Sequence, residues 1–303
     1  MRKAGRFCQP FLILAMLTLN ACQAPPSLPT IPAWQSPNGR EHLDLGMIHD
    51  IKSGHELTAQ QLAERLARAS RVLVGEQHDN PDHHALQLWI LQVLADRRPQ
   101  GSLLLEMIKP DQQAAVDRVR ADIIADSTYP PDLPSALSWQ KGWDWALYGP
   151  IVRYAVAQPY PLLAANLNTS EVQAIYQQAP DTPSGPSSTE SVRGRLLDQI
   201  RASHCGLLPE DQLPAMLAVQ QQRDRRMAES LAAAPVPAVL FAGSYHVRKD
   251  VGIPLHLAEL GVDEAPVVLL LAQVGTEVEP GSADYVWYTA ALPEQDYCAQ
   301  LRK

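Results

Sequence analysis

Short, uninterrupted apolar runs alternate with longer amphipathic ones along most of this chain. Val72-Leu73-Val74, Leu103-Leu104-Leu105, Tyr160 to Ala165, Ala238-Val239-Leu240-Phe241 and Pro266 to Ala272 are each bounded by polar or turn-forming residues. Runs this short, with β-branched members and no polar alternation, predict strands covered on both faces. Between them apolar residues recur at helical spacing: Leu62, Leu66 and Ala69; Ala85, Leu88, Trp89 and Leu91; Met216, Val219, Met227 and Leu231. Thr58-Ala59-Gln60-Gln61 is a capping box, with Leu57 and Leu62 spaced as a hydrophobic staple, and predicts a helix from Thr58 to about Ala69. A second helix is expected to begin at Asp79 or Asn80, with Asp79 read as the N-cap and Pro81 in the first turn. Further helices are expected over Pro150 to Ala157, from Ser170 as its own cap, over Val192–Ser203 and Leu213–Ala233, and over Pro254 to Leu260 with Gly261 closing it. Leu43 to Asp50 reads as a weak first strand and Tyr285 to Thr289 as an edge strand.

Strands alternating with helices predict an α/β fold, a mostly parallel sheet flanked by helices. The core is expected over 43–109 and 234–292, with the strand at 160–166 returning to it. The stretch 110–233 is too helical for a single crossover and predicts a smaller inserted helical subdomain. Pro180 to Ser191 is a low-complexity loop and 293–303 a C-terminal tail.

The amino terminus departs from this pattern. Arg2, Lys3 and Arg6 precede an apolar run, Phe11 to Leu17, and Leu19-Asn20-Ala21-Cys22 then places a cysteine after a small residue. The run is too short to span a bilayer, so 1–21 reads as a signal peptide ending in a lipobox, with lipidation at Cys22. Gln23 rather than Asp follows, which fits an outer-membrane destination in a Gram-negative cell. Residues 22–42 then form a Pro-stiffened tether. On this reading the protein is lipid-anchored, on the periplasmic face.

Composition narrows the partners. With 303 residues, 46% of them hydrophobic, one large core is within reach. The formal charge of −8 and the lack of a basic run in the body of the chain argue against nucleic acid as a partner. Cys205 and Cys298 remain once Cys8 and Cys22 are set aside; in an oxidising compartment they can pair, or stay as two buried thiols.

Candidate chemistry collects at predicted strand ends. Glu76 and His78 follow the run at 72–74, Glu106 follows Leu105, Asn166 follows Ala165, and His246 lies just beyond Gly243. In open α/β sheets, sites form outside the carboxyl ends of the strands. A buried carboxylate beside a histidine must be paired or shifted in pKa, and such groups concentrate at functional sites. Glu76, His78, Glu106 and His246 suit a divalent metal or general acid–base work on water. No Gly-x-Ser-x-Gly elbow is present, which argues against covalent catalysis through serine. Taken singly, each of these residues is more simply a capping or hydrogen-bonded group; His83 and His84 read as solvent-facing, and Trp139, Trp143 and Trp145 as packing.

Several stretches, taken together, carry a resemblance. They are Gly75-Glu76-Gln77-His78-Asp79-Asn80-Pro81-Asp82-His83-His84, Leu104-Leu105-Glu106-Met107, Gly142-Trp143-Asp144-Trp145-Ala146-Leu147-Tyr148, Ser203-His204-Cys205-Gly206, Gln222-Arg223-Asp224, and Gly243 through Pro254. In this order they resemble the ChaN-like haem-binding lipoproteins, which share a superfamily with Tiki-type proteases and erythromycin-esterase-like proteins. The resemblance implies an iron-regulated outer-membrane lipoprotein that binds haem, with haem binding linked to homodimerisation and with an outer-membrane haem receptor as a partner. It implies tyrosine ligation of haem with help from the partner subunit. Tyr148, in the matching Trp-rich motif, is the first candidate for that tyrosine, and His204 is the next, as a ligand or as a partner to one. The superfamily's strand-end site maps onto Glu76, His78, Glu106 and His246, and leaves a hydrolase, peptidase- or esterase-like, as the alternative function.

Overall fold

The structure, a computed structural model, describes residues 28–179, 184–296 and 298–299. The expected signal peptide, Cys22, the start of the expected tether, 180–183 of the Pro-rich loop and the end of the C-terminal tail lie outside the described residues.

The strands are β1 (Ile48–Asp50), β2 (Glu56–Leu57), β3 (Arg71–Glu76), β4 (Ser102–Leu105), β5 (Leu162–Ala164), β6 (Ala238–Gly243), β7 (Val267–Gln273) and β8 (Tyr285–Thr289). They form one sheet in the order β2-β1-β8-β7-β3-β6-β4-β5. From β8 to β5 every pairing is parallel, while β1 runs antiparallel to both β8 and β2. Tyr285–Thr289, expected at an edge, is therefore interior; Trp287 is fully buried against Trp89, and the edge role passes to two short strands. An edge cannot be told from an inner strand by an apolar run alone, because partners at 48–50 decide it.

The helices are α1 (Ala59–Arg68), α2 (Pro81–Ala95), α3 (Gln113–Asp126), α4 (Leu133–Ala136), α5 (Trp145–Val156), α6 (Thr169–Gln178), α7 (Glu190–Ser203), α8 (Leu213–Ala233), α9 (Ser244–Val247) and α10 (Ile253–Glu259). Residue parity along the strands sorts them into two layers. Val72, Val74, Leu103, Leu105, Val239 and Phe241 face α1, α2, α3 and α5. Leu73, Leu104, Leu240, Ala242, Val268 and Leu270 face α8, α9 and α10. A third, smaller core joins α7 to the start of α8 through Leu196, Ile200, Leu213 and Leu217.

Residues 110–233 consequently do not form a single helical subdomain. Helices α3 to α5 lie on one face of the sheet, and the second half of α8 lies on the other. The helical spacing of apolar residues in these segments marks them as helices but carries no sign of which layer each joins.

Caps explain the shifted helix starts. Asn80, not Asp79, caps α2 by accepting from the Asp82 and His83 N–H groups at 2.9 and 3.4 Å. Asp144 accepts from the Ala146 N–H at 2.9 Å and starts α5 at Trp145, so Pro150 sits inside the helix rather than at its head. Asn168 precedes α6, where Glu171 reaches back to the Asn168 N–H at 2.8 Å, and Ser170 is already helical. Cys205 and Cys298 are joined in a disulfide, with Cα atoms 5.6 Å apart, which ties the C-terminal segment to the turn between α7 and α8.

Candidate functional site

Strands β3, β6 and β4 are neighbours, and they bring Glu76, Gly243 and Glu106 to one edge of the sheet. Glu76 pairs in register with Gly243, and the Glu106 N–H donates to the Phe241 carbonyl at 3.1 Å. The close approach at this edge needs glycine at two positions. A Cβ on Gly75 would lie 2.5 Å from Val247, where α9 presses on β3. A Cβ on Gly243 would lie 2.9 Å from the His78 ring.

Two acid–histidine groups flank Gly243. In the first, Glu76 Oε1 lies 2.6 Å from His78 Nδ1 and accepts the Tyr148 hydroxyl at 2.9 Å. Burial works against protonation of His78, but the Glu76 and Glu106 carboxylates outweigh it and raise its pKa. Trp143 packs edge-on against the His78 ring, 4.9 Å between centroids, and Trp139, Trp143 and His84 surround Tyr148. Glu76 Oε2 is buried and has no hydrogen-bond partner among the described residues.

In the second group, His246 Nδ1 contacts Asp224 Oδ1 and its Nε2 lies 3.4 Å from Glu106 Oε1. Glu106 Oε2 also accepts the Gly243 N–H at 2.9 Å. Burial disfavours charge on His246, yet the carboxylates of Glu106 and Asp224 on either side raise its pKa to about 10, so it is held protonated. His246 correspondingly keeps Glu106 ionised despite burial. Burial pushes the Asp224 carboxyl up, with His246 opposing. The first group leans on α5 and the second on α8, so the pair spans both faces of the sheet at its carboxyl edge. A cleft of about 470 Å³ opens above them, lined by His78, His246, Tyr245, Arg248 and Gln220 among others.

The structure thus brings Glu76, His78, Glu106 and His246 together, and adds Asp224 and Tyr148. Asn166, also expected at this edge, instead donates its side-chain amide to the Glu106 carbonyl at 3.0 Å and so braces the turn after β4. Asp224 stands among Arg223, Arg225 and Arg226, a run that suggests a solvated face, yet it is fully buried. Its spacing contains the correction: Leu217, Gln221, Asp224, Ala228 and Leu231 recur at three and four residues and are all buried on one face of α8.

His83 and His84, expected in solvent, are buried at 1% and 3% exposure. His83 Nδ1 accepts the Gln77 N–H at 2.9 Å and its Nε2–H donates to Thr289 at 3.0 Å. Burial, with His84 adding to it, lowers the His83 pKa to about 3. His84 donates to the His78 carbonyl at 3.0 Å. Both rings therefore build the turn that carries His78.

The two haem candidates fall in different places. Tyr148 is 2% exposed, with its hydroxyl engaged by Glu76. Burial first, and then the Glu76 charge, push its pKa far above the ordinary tyrosine value. The bond to Glu76 makes Tyr148 a member of the strand-edge cluster. His204 closes α7 and faces a second cleft, of about 520 Å³, between α6, α7 and α8. Its Nδ1 lies 2.8 Å from the Ile200 carbonyl. Donation there leaves Nε2 with a free lone pair. Tyr176, Met216 and Arg223 line the same cleft, and Gln199 and Gln220 line both clefts.

Among the described residues no three His, Cys, Asp or Glu side chains are grouped to hold a metal ion, and no helix is long and apolar enough to cross a membrane.

Comparison with known proteins places this geometry. No curated protein matches the chain. The structure of ChaN of Campylobacter jejuni, described as cofacial haem binding, matches with a TM-score of 0.73 at 30% identity, over 80% of this chain and 95% of that one. A Bacillus cereus protein matches at 14% identity and a TM-score of 0.41, over 82% of this chain and 79% of that one. An erythromycin esterase variant in its open conformation matches at 12% identity and 0.45, over 84% and 85%. A family profile described as haem-binding uptake, Tiki superfamily, ChaN covers residues 62–257. The chain therefore belongs to the ChaN family of haem-binding uptake proteins within the Tiki superfamily.

Proposed function

We propose that this protein is a haem-binding lipoprotein of haem and iron uptake, lipidated at Cys22 and held on the periplasmic face of the outer membrane. The observation that carries the reading is the likeness to Campylobacter jejuni ChaN, 30% identical over 95% of its length, whose structure is one of cofacial haem binding. The lipobox at Leu19 to Cys22 supports the anchor. A second copy of the chain and an outer-membrane haem receptor are the partners this reading implies.

The cleft between α6, α7 and α8 has a donor set that fits an iron porphyrin. It offers the free Nε2 of His204, the phenol of Tyr176, the thioether of Met216, and apolar side chains of Val172 and Val219. Haem, if bound here, would supply an iron that accepts imidazole, phenolate or thioether donors. His204 and Tyr176 are the residues we assign to hold it. The hydroxyl of Tyr176, 37% exposed, at present donates to Gln212 at 2.9 Å on the cleft rim. Titration of the purified chain with haem, followed at the Soret band, tests the reading. A saturable shift that His204→Ala weakens is expected; no saturable shift with the wild-type chain overturns it.

One observation favours a second reading, hydrolysis at the strand edge. Glu76 Oε2 is a buried carboxylate oxygen without a partner, next to a histidine that faces a cleft. His78, oriented by Glu76 and Tyr148, would take a proton from water as it attacks the scissile carbonyl and pass that proton to the leaving group as its bond breaks. An esterase and peptidase screen comparing wild type with His78→Gln decides it: turnover lost in the variant supports hydrolysis, and equal traces from both remove it.

A further inference from the structure

The cleft between α6, α7 and α8 contains a cation, Arg223, with no counter-ion among the described residues. Arg223 lines it, and its Nε is buried with no hydrogen-bond partner among the described residues. Its neighbours on α8 are all committed. Arg225 pairs with Glu229 at 3.0 Å, Arg226 pairs with Glu171 at 2.7 Å, and Asp224 is turned inward to His246. None of the other residues lining the cleft is a carboxylate. A half-buried guanidinium without an anion is costly, and its planar fork matches a carboxylate through two parallel hydrogen bonds.

Two further features point to the same ligand chemistry. Gln199 Oε1, on the α7 side, is buried and also lacks a partner. A carboxamide can present either its oxygen or its NH₂ group, so Gln199 can turn to donate. Val172, Ile200, Met216 and Val219 supply apolar wall, interleaved with the uncharged polar side chains of Gln173, Gln177, Ser203 and Gln220. A flat apolar body carrying an acidic edge satisfies both halves of this lining.

We propose that Arg223, aided by Gln199, binds a carboxylate of the tetrapyrrole and makes the cleft selective for free-acid porphyrins over their esters. This rests on the haem-binding reading above. His204 and Tyr176 would then hold the metal while Arg223 would hold a carboxylate at the edge of the ligand. Selectivity arises because an ester cannot receive a charge-assisted bond and leaves the buried Nε unpaired.

The test uses the full chain, titrated with haem and with haem dimethyl ester, for wild type, Arg223→Gln and Arg223→Lys. Wild type is expected to bind haem about tenfold or more tighter than the ester, the scale of one charge-assisted hydrogen bond. Arg223→Gln should lose that preference by weakening haem alone, and Arg223→Lys should recover part of it. Salt provides a reading that needs no variant: wild-type affinity for haem should fall as salt rises while affinity for the ester stays level. Equal affinities of wild type for haem and ester, or a salt response that is the same for both, overturn the assignment of Arg223 while leaving haem binding in place. Absence of haem binding by wild type overturns the parent reading and this one together.

Discussion

Tyr148 donates its hydroxyl to Glu76 Oε1 across 2.9 Å, from a position only 2% exposed to solvent. The bond joins α5 to the end of β3 and fixes which carboxylate oxygen faces His78. It also separates two roles that the Trp-rich motif had suggested together, since the tyrosine nearest the tryptophans is committed to the strand edge.

Tyr148→Phe should therefore destabilise the fold by about 1–3 kcal/mol, because Glu76 loses a buried donor and gains none. Haem binding should be unchanged. Chemical denaturation and a Soret titration on the same preparation check both halves. A folded variant that has lost its Soret shift would return Tyr148 to the haem site.

Two of the buried histidines, His246 and His83, predict opposite limbs of a pH–stability curve. His246 has a folded pKa of about 10 against an ordinary 6.5, so its contribution is complete below about pH 6.5 and is lost as pH rises through about 10. His83 has a folded pKa of about 3 against 6.5. The unfolded chain takes up that proton first, so stability should fall as pH drops from about 6.5 towards 3. Thermal midpoints recorded across this range should fall on both sides. His246→Gln should be less stable throughout, since Glu106 and Asp224 are left unpaired, and its alkaline limb should flatten. An alkaline limb identical in the variant would refute the assignment.

Gly75→Ala probes the packing of α9 on the sheet. Its Cβ would meet Val247 Cγ2 at 2.5 Å, Leu270 Cδ2 at 2.7 Å and the Ser244 Cα at 3.0 Å. Overpacking of this kind costs about 1–3 kcal/mol. The denaturation midpoint should drop accordingly, whereas Gly142→Ala, where a Cβ meets nothing within 4 Å, should cost far less.

Much of the fold was legible from residue pattern. Apolar runs without alternation marked the parallel strands, and the capping box at Thr58 and the Pro81 start marked α1 and α2 within a residue or two. Strand ends bearing Glu76, Glu106 and His246 pointed to one edge of the sheet, and parallel register does put them there. The failures share a cause in tertiary partners. His83 and Asp224 turn inward to partners distant in the chain, Thr289 and His246, and His84 turns inward to the nearby His78 carbonyl in a turn whose burial the local pattern does not show. A polar side chain is read as solvent-facing until such a partner is known.

The sequence by itself determined the α/β class, the strand-end acids and histidines and the motifs of the family. Those are properties of local pattern, set by side-chain periodicity and turn chemistry within a few residues. The tertiary structure decided that Tyr148 serves Glu76, that Asp224 completes the His246 group, that Cys205 and Cys298 join, and that His204 shares a cleft with an unpaired Arg223. Each of these depends on which elements become neighbours, and on burial making an unpaired polar group too costly to leave without a partner.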